Sequence, residues 1–323
     1  MNHLYNVSAS PHIRSKTTTA SIMRDVVIAL IPAGIHGVYN FGLHALLIIA
    51  ISVITCLLTE YLYEKALKKP NTIRDLSAVV TGLLLAYNMP PSVPLWLPVI
   101  GSVFAILVVK MLYGGIGQNF MNPALAARCF LTVSFAGYMV DFNIPVNFSG
   151  STVSADGLSS ATPLSILREG GTFRIIDLFL GKNIGTIGET SVILILAGAI
   201  YLIVRRVINL RIPATYLAAF LLTLLLCTRD GLSLEYILAH LFAGGLILGI
   251  FFMATDYATS PITPRGQLLY GLVLGVLTAL FRVFGSSTEG LSFVIIFGNL
   301  LVPLIDRLTV PGMFGKGAVA DGK

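Results

Sequence analysis

Charge is what this sequence has least of. Asp, Glu, Lys and Arg make up only 11% of its 323 residues, against 55% hydrophobic residues and a mean hydropathy of +0.86. A soluble domain needs far more charge on its surface, so that class is excluded. Cysteine is also scarce. Cys56, Cys129 and Cys227 stand apart, with no CxxC and no His/Cys cluster. That argues against an iron–sulfur or zinc site held by this chain alone, and no spacing argues for a disulfide. A repeated ten-residue alternation of apolar and polar residues is missing too, so helices rather than a β-barrel must satisfy the backbone in a membrane. Residues 1–21 are polar and carry no cleavable signal pattern. The net charge of +6 comes from basic residues scattered between apolar runs, which reads as a topology signal and not as a nucleic-acid surface.

What the chain has instead is a series of long apolar runs. Ten occur, near 25–40, 43–63, 76–90, 95–113, 122–140, 189–205, 213–228, 233–253, 266–283 and 290–306. A helical crossing of the hydrocarbon core takes about 20 residues. The expected fold is therefore all-α and polytopic, with about ten transmembrane helices. Pro32, Gly34, Asn88 and Pro90 interrupt the first and third runs, so kinks or breaks are expected there. If ten runs cross, both termini share one side, and sixteen of the 21 Lys and Arg residues fall on that side. The positive-inside rule makes it cytoplasmic and places the long connection 141–188 outside. The expected organisation is a cytoplasmic segment 1–24, a five-helix half 25–140, the outer loop 141–188, a second five-helix half 189–306 and a cytoplasmic tail 307–323. Two halves of five spans each must run in opposite directions, the arrangement of an inverted repeat. A faint echo of Gln118-Asn119-Phe120-Met121-Asn122-Pro123 in Gly298-Asn299-Leu300-Leu301-Val302-Pro303 agrees with this.

Polar residues amid so much apolar sequence mark candidate sites. One cluster is Gly114-Gly115-Ile116-Gly117-Gln118-Asn119 with Asn122-Pro123 and Arg128. Its glycines let backbone approach a ligand, and its amides can both donate and accept toward a heterocycle edge. The same residues would equally make a tight turn and a capped helix start. A second cluster is Thr255-Asp256 with Thr259 and Ser260. It could meet a cation or the polar edge of a flavin, or simply supply caps and proline turns. An unpaired Asp256 beside the apolar stretch 246–254 is costly, which favours a function. Glu60 and Glu64, four residues apart beside Lys65, read first as a solvated helix end, with a proton or sodium role as the alternative.

The outer loop carries Asp156-Gly157-Leu158-Ser159-Ser160-Ala161-Thr162-Pro163. Thr162-Pro163 would start a helix well, with threonine as cap and proline at the first position. Its hydroxyls are weak nucleophiles, and none of the five histidines (His3, His12, His36, His44, His240) lies in the loop, so a serine-hydrolase site is excluded. The pattern Asp-x-x-Ser-x-Ala-Thr resembles the signal at which a separate transferase joins FMN to a threonine hydroxyl through a phosphoester bond. Carried over, the acceptor is Thr162, with Asp156, Ser159 and Ala161 as motif residues. Ser160 departs from the glycine more usual there.

Together with Gly117-Gln118-Asn119 through Pro123-Ala124, and Phe252-Met253-Ala254-Thr255-Asp256 through Thr263-Pro264-Arg265-Gly266-Gln267, this motif makes the chain resemble the NqrB/RnfD family along nearly its whole length. The short N-terminal segment is similar to the RnfD branch more than to the sodium-translocating quinone-reductase branch. The resemblance implies a flavoprotein subunit of a prokaryotic plasma-membrane complex that couples electron flow between ferredoxin and NAD⁺ to Na⁺ or H⁺ export. It implies membrane and peripheral partner subunits, among them an outer-face flavin subunit, and a flavin transferase. No catalytic residue, metal ligand or nucleic-acid site is expected in the chain itself. One flavin at the outer edge cannot carry electrons across a core of roughly 30 Å. A second carrier is therefore expected, in this chain or in a neighbouring subunit. The resemblance implies a noncovalent riboflavin nearer the inner side, with the two polar clusters as its candidate surroundings. The rivals are the quinone-reductase subunit and, from another class, a channel or secondary transporter of inverted-repeat architecture.

Overall fold

The computed structural model describes residues 17–142, 164, 175–181, 185–189, 191–227, 234–285 and 290–311, and among these every regular element is a helix. In the first half these are α1 (Thr19–Phe41), α2 (Leu43–Ala66), α3 (Ser77–Tyr87), α4 (Trp96–Met111), α5 (Pro123–Ser134) and the short α6 (Ala136–Met139). Then follow α7 (Ile175–Leu180), α8 (Val192–Val204), α9 (Arg211–Cys227), α10 (Leu234–Phe242), α11 (Leu246–Met253), α12 (Pro264–Phe284) and α13 (Leu291–Thr309). Each of the ten apolar runs coincides with at least one of these helices. Their lengths divide them. Four helices, α1, α2, α12 and α13, are long and apolar enough to cross a membrane. At 1.5 Å per residue the 23 residues of α1 reach about 35 Å, whereas the 11 of α3 reach only about 16 Å.

The breaks do not all fall where the prolines suggest. Pro32 lies within α1, which continues through it to Phe41. The third run does end early, at Asn88, whose Nδ2 turns back onto Leu84 O (2.6 Å). The eighth run reads as continuous in the sequence but is two helices, α10 and α11, bent by 56° at the Gly244–Gly245 step. Wider, i→i+5 turns replace α-turns in Phe104–Met111 of α4 and Gly249–Met253 of α11.

Small residues set the tightest contact. Gly271 and Gly275 stand one turn apart on α12 and face α9. A Cβ at Gly275 would lie 2.5 Å from Tyr216 O, and one at Gly271 only 2.0 Å from Thr215 Oγ1. Without side chains there, the two backbones approach closely enough to pack in a membrane, where hydrophobic burial drives no helix pairing. A buried hydroxyl pair then ties the helices, Tyr216 Oη to Thr278 Oγ1 at 2.6 Å. The first half repeats the device between α2 and α4, with Ser52 Oγ 3.1 Å from Ser102 Oγ.

Polar contacts join the halves. First helix meets first helix where Arg205, just after α8, donates to Asp25 of α1 (3.1 Å) beside the Tyr201 hydroxyl. A second contact is made where the Asn122 amide at the start of α5 donates to Asn299 Oδ1 of α13 (3.2 Å). Outward faces carry bare apolar side chains such as Ile35, Leu62, Leu226 and Leu308. Apolar outside with glycine, hydroxyl and amide inside is the order a bilayer imposes.

Gly275→Leu should lower the stability of the detergent-solubilised protein by about 3 kcal/mol or more, since the clash is with backbone. Leu272→Ala, on the exposed face of the same helix, should change it by less than about 0.5 kcal/mol. Thermal melts of the two variants check the pair.

Candidate cofactor cavity

Between α1, α3, α4, α5 and α11 lies a cavity of about 750 Å³ including the space at its mouth. Ser77, Lys110, Asn119, Asn122, Thr255 and Asp256 form its polar wall. Val26, Leu84, Ile208, Phe251 and Phe252 form much of its apolar one. Two clusters more than 130 residues apart in the sequence thus face a single space, each brought there by a helix end. Both wide-turn segments also reach it, through Lys110 and through Phe251 and Phe252.

Asn122 is the N-cap of α5, its Oδ1 accepting from Ala124 N (3.1 Å) and Leu125 N (3.3 Å) with Pro123 at the first helical position. Capping occupies the oxygen and leaves the amide NH₂ for donation. Asn119 is the complement: its Nδ2 donates to Met121 O (3.2 Å) and its oxygen is left to accept. The cap and ligand readings of this segment are therefore compatible. Gly114, Gly115 and Gly117 all have positive φ (120°, 98° and 84°), so the turn itself requires glycine there.

On the other wall, Thr255 donates its hydroxyl to Phe251 O (2.7 Å), and Asp256 Oδ2 accepts from Thr259 Oγ1 (3.1 Å). Burial pushes the Asp256 carboxyl above its usual range, against the opposing pull of that hydroxyl and of the Ala258 amide. Thr259 is buried behind it and offers its carbonyl to Asn299 Nδ2 (3.0 Å). Asn299 also donates to Tyr270 Oη (2.8 Å) and accepts from the Asn122 amide, so one buried amide holds both walls in register.

Four residues of the sequence clusters do not line the cavity, Thr259 among them. Gln118 is exposed, on the outer side of the turn, and Ser260 does not line the cavity. Arg128 points away, since residues on one helix face opposite sides: Nη1 donates to Asn88 Oδ1 (2.8 Å) and lies 3.7 Å from Glu189 Oε1. Asp156, Ser159, Ser160, Ala161 and Thr162 lie outside the described residues. Leu164, two positions on, is described and is buried with Leu178 and Ala243 beside the α10–α11 break.

Glu60 and Glu64 correct the reading of a solvated helix end. Both are buried, and so is Lys110, whose charge the sequence assigned to topology. Lys110 Nζ lies 2.9 Å from Glu60 Oε2 and donates to Ser77 Oγ (2.6 Å). The Thr72 hydroxyl sits between the two carboxylates, 2.9 Å from Glu60, and its amide donates to Glu64 (3.0 Å). Sequence spacing misses this because the partners come from α2, α4 and the start of α3.

Asn299→Ala should cost about 2–4 kcal/mol, because a buried amide, carbonyl and hydroxyl lose partners together; a thermal melt measures it. For Asp256 the sign is set by a raised carboxyl. The folded state holds the proton longer than the unfolded one, so folding is opposed increasingly as pH rises above the model-peptide value of 3.8. The stability of Asp256→Asn relative to wild type should therefore improve from pH 4 to pH 8, measured as the difference in melting temperature across that range.

Comparison with known proteins covers nearly the whole chain. Residues 6–315 match the family described as the NQR2, RnfD, RnfE family. The chain is 46% identical to the D subunit of the Na(+)-translocating ferredoxin:NAD(+) oxidoreductase complex of Acetobacterium woodii, covering 98% of this chain and 97% of that protein. It is 40% identical to the D subunit of the proton-translocating ferredoxin:NAD(+) oxidoreductase complex of Clostridium ljungdahlii, with 97% of each covered. With the D subunit of the ion-translocating oxidoreductase complex of Yersinia enterocolitica it shares 33% identity over 96% of this chain and 98% of the other. The chain belongs to the NQR2, RnfD, RnfE family.

Proposed function

We propose that this chain is the D subunit of an ion-translocating ferredoxin:NAD⁺ oxidoreductase complex, a membrane electron-transfer subunit that acts with its partners and not alone. End-to-end similarity to proteins of that name carries the reading. In this proposal both termini are cytoplasmic, the two five-helix halves are inverted, and the loop 141–188 is outside. FMN is joined there to Thr162 by a separate transferase. Riboflavin occupies the cavity between the two polar clusters.

The cavity suits such a group. Its walls are mostly apolar, and its polar groups are few and convergent. The flat apolar walls at Phe251, Phe252, Val26 and Leu84 would meet ring faces. Asn122 would donate and Asn119 accept at a polar edge, in the orientation that the α5 cap and Asn299 impose. A flavin supplies one-electron chemistry when bound, and the protein's part is to hold it, orient it and set its electrostatic surroundings. The rigid α5–α13 contact would fix the position, and the apolar walls would exclude water.

Co-expression with the flavin transferase should give a denatured gel band that fluoresces as flavin, and Thr162→Ala should abolish the band's fluorescence. An unmodified wild-type band under those conditions overturns the covalent site. Acid precipitation of the wild type should also release a second, free flavin, and a purified protein with only one equivalent of flavin in total counts against the cavity. A cysteine replacing Gly170, after Cys56, Cys129 and Cys227 are removed, should react with an impermeant reagent added to intact cells.

A further inference from the structure

Lys110 and Glu60 are buried in helices on adjacent sides of one bundle, and only one of the two reaches the cavity. Lys110 lines it; Glu60 stands behind. Both carboxylate oxygens hold the ammonium, at 3.0 and 2.9 Å, and Ser77 Oγ holds it from the cavity wall at 2.6 Å. We infer that Lys110 and Glu60 form an oriented charge pair whose positive end faces the cavity and sets the reduction potential of the heterocycle bound there. This rests on the reading of the cavity as a flavin site.

The pair is a poor device for stability alone. Two charges taken from water and matched to each other often do no better than a pair of apolar residues of the same size. Its orientation is what the surroundings enforce. Wide turns through Phe104–Met111 carry Lys110 to the cavity side of α4. Thr72, 2.9 Å from Glu60 Oε1, fixes the carboxylate from the far side. In a dry interior charges act on one another several-fold more strongly than in water, and the nearer charge dominates. A ligand that gains an electron gains a unit of negative charge. The near ammonium stabilises that state more than the far carboxylate opposes it.

Other charged or titratable groups also surround the pair. Asp75 lies behind Ser77, accepting from its hydroxyl at 2.5 Å, and Glu64 lies behind Thr72. Cys56 is buried one helical turn from Glu60 on α2. Asp256 and Tyr257 face across the cavity. Arg128 of α5 is directed to Asn88 and Glu189 instead.

Geometry of this kind orders a parent and four variants. Thr162→Ala protein loaded with riboflavin lets the cavity be read alone, and dithionite titration followed by absorbance gives its potential. Glu60→Gln leaves the near positive charge unopposed and should raise the potential above the parent. Lys110→Gln leaves the far negative charge and should lower it most. The double variant removes both charges, leaves no orphan that would unfold the protein, and should lie between the parent and Lys110→Gln. Lys110→Arg should return the potential toward the parent. Single variants that shift the same way, or no shift while riboflavin remains bound, overturn the inference. Failure of the unsubstituted cavity to bind riboflavin overturns the flavin reading itself, and with it the inference.

Discussion

Every helix that stops inside a hydrocarbon-thick fold leaves carbonyl groups that water does not reach, and each must find a donor within the protein. Among the described residues the ends of α3 and α10 show how. At the end of α3, Tyr87 O accepts from Gly188 N (2.9 Å), Met89 O accepts from Ile187 N (3.1 Å), and Leu84 O takes the Asn88 side chain. At the end of α10, the Arg282 guanidinium spans His240 O, Ala243 O and Gly244 O, the last two at 3.0 and 3.2 Å. Neither break is closed by its own helix alone. One is closed by the segment joining the halves and the other by the far end of α12. These donors let short helices exist, and short helices leave room for a polar cavity in an apolar protein.

The fold was legible because apolar runs and helices obey the same constraint. All ten runs coincide with helices, and the polar loops between them fall close to the breaks. Helix ends were harder to read. Pro32 is accommodated within α1, since one missing N–H among 23 residues does not stop a helix that is packed along its length. Gly244 and Gly245 do stop one, although glycine is common throughout the chain and nothing local distinguishes this pair. The partner that makes the break tolerable, Arg282, is some 40 residues away.

Half of the cavity was legible for the same reason. Asn119, Asn122, Thr255 and Asp256 are polar residues against long apolar stretches, and that anomaly points to a shared surface. Gln118, Arg128 and Ser260 carry the same signal in sequence and differ only in helix face or turn position. Lys110 gave the opposite error. A lysine near the end of an apolar run looks like a topology charge until its carboxylate partner, 50 positions earlier, is seen. Asn299 appeared only as part of an echo between the halves. In the fold the two echoing segments touch, through Asn122 and Asn299.

The wide turns in α4 and α11 have a consequence for register. Leu112 N bonds to Leu107 O, Gly115 N to Lys110 O, and Ala254 N to Gly249 O, each reaching five residues back instead of four. An extra residue per turn offsets everything beyond it by about 100° relative to an ordinary α-helix. The face that Lys110 presents is therefore a property of chain length as much as of residue identity. A helix of the same composition, shorter by one residue before Lys110, would turn its charge toward a different neighbour and take the ammonium out of the cavity wall.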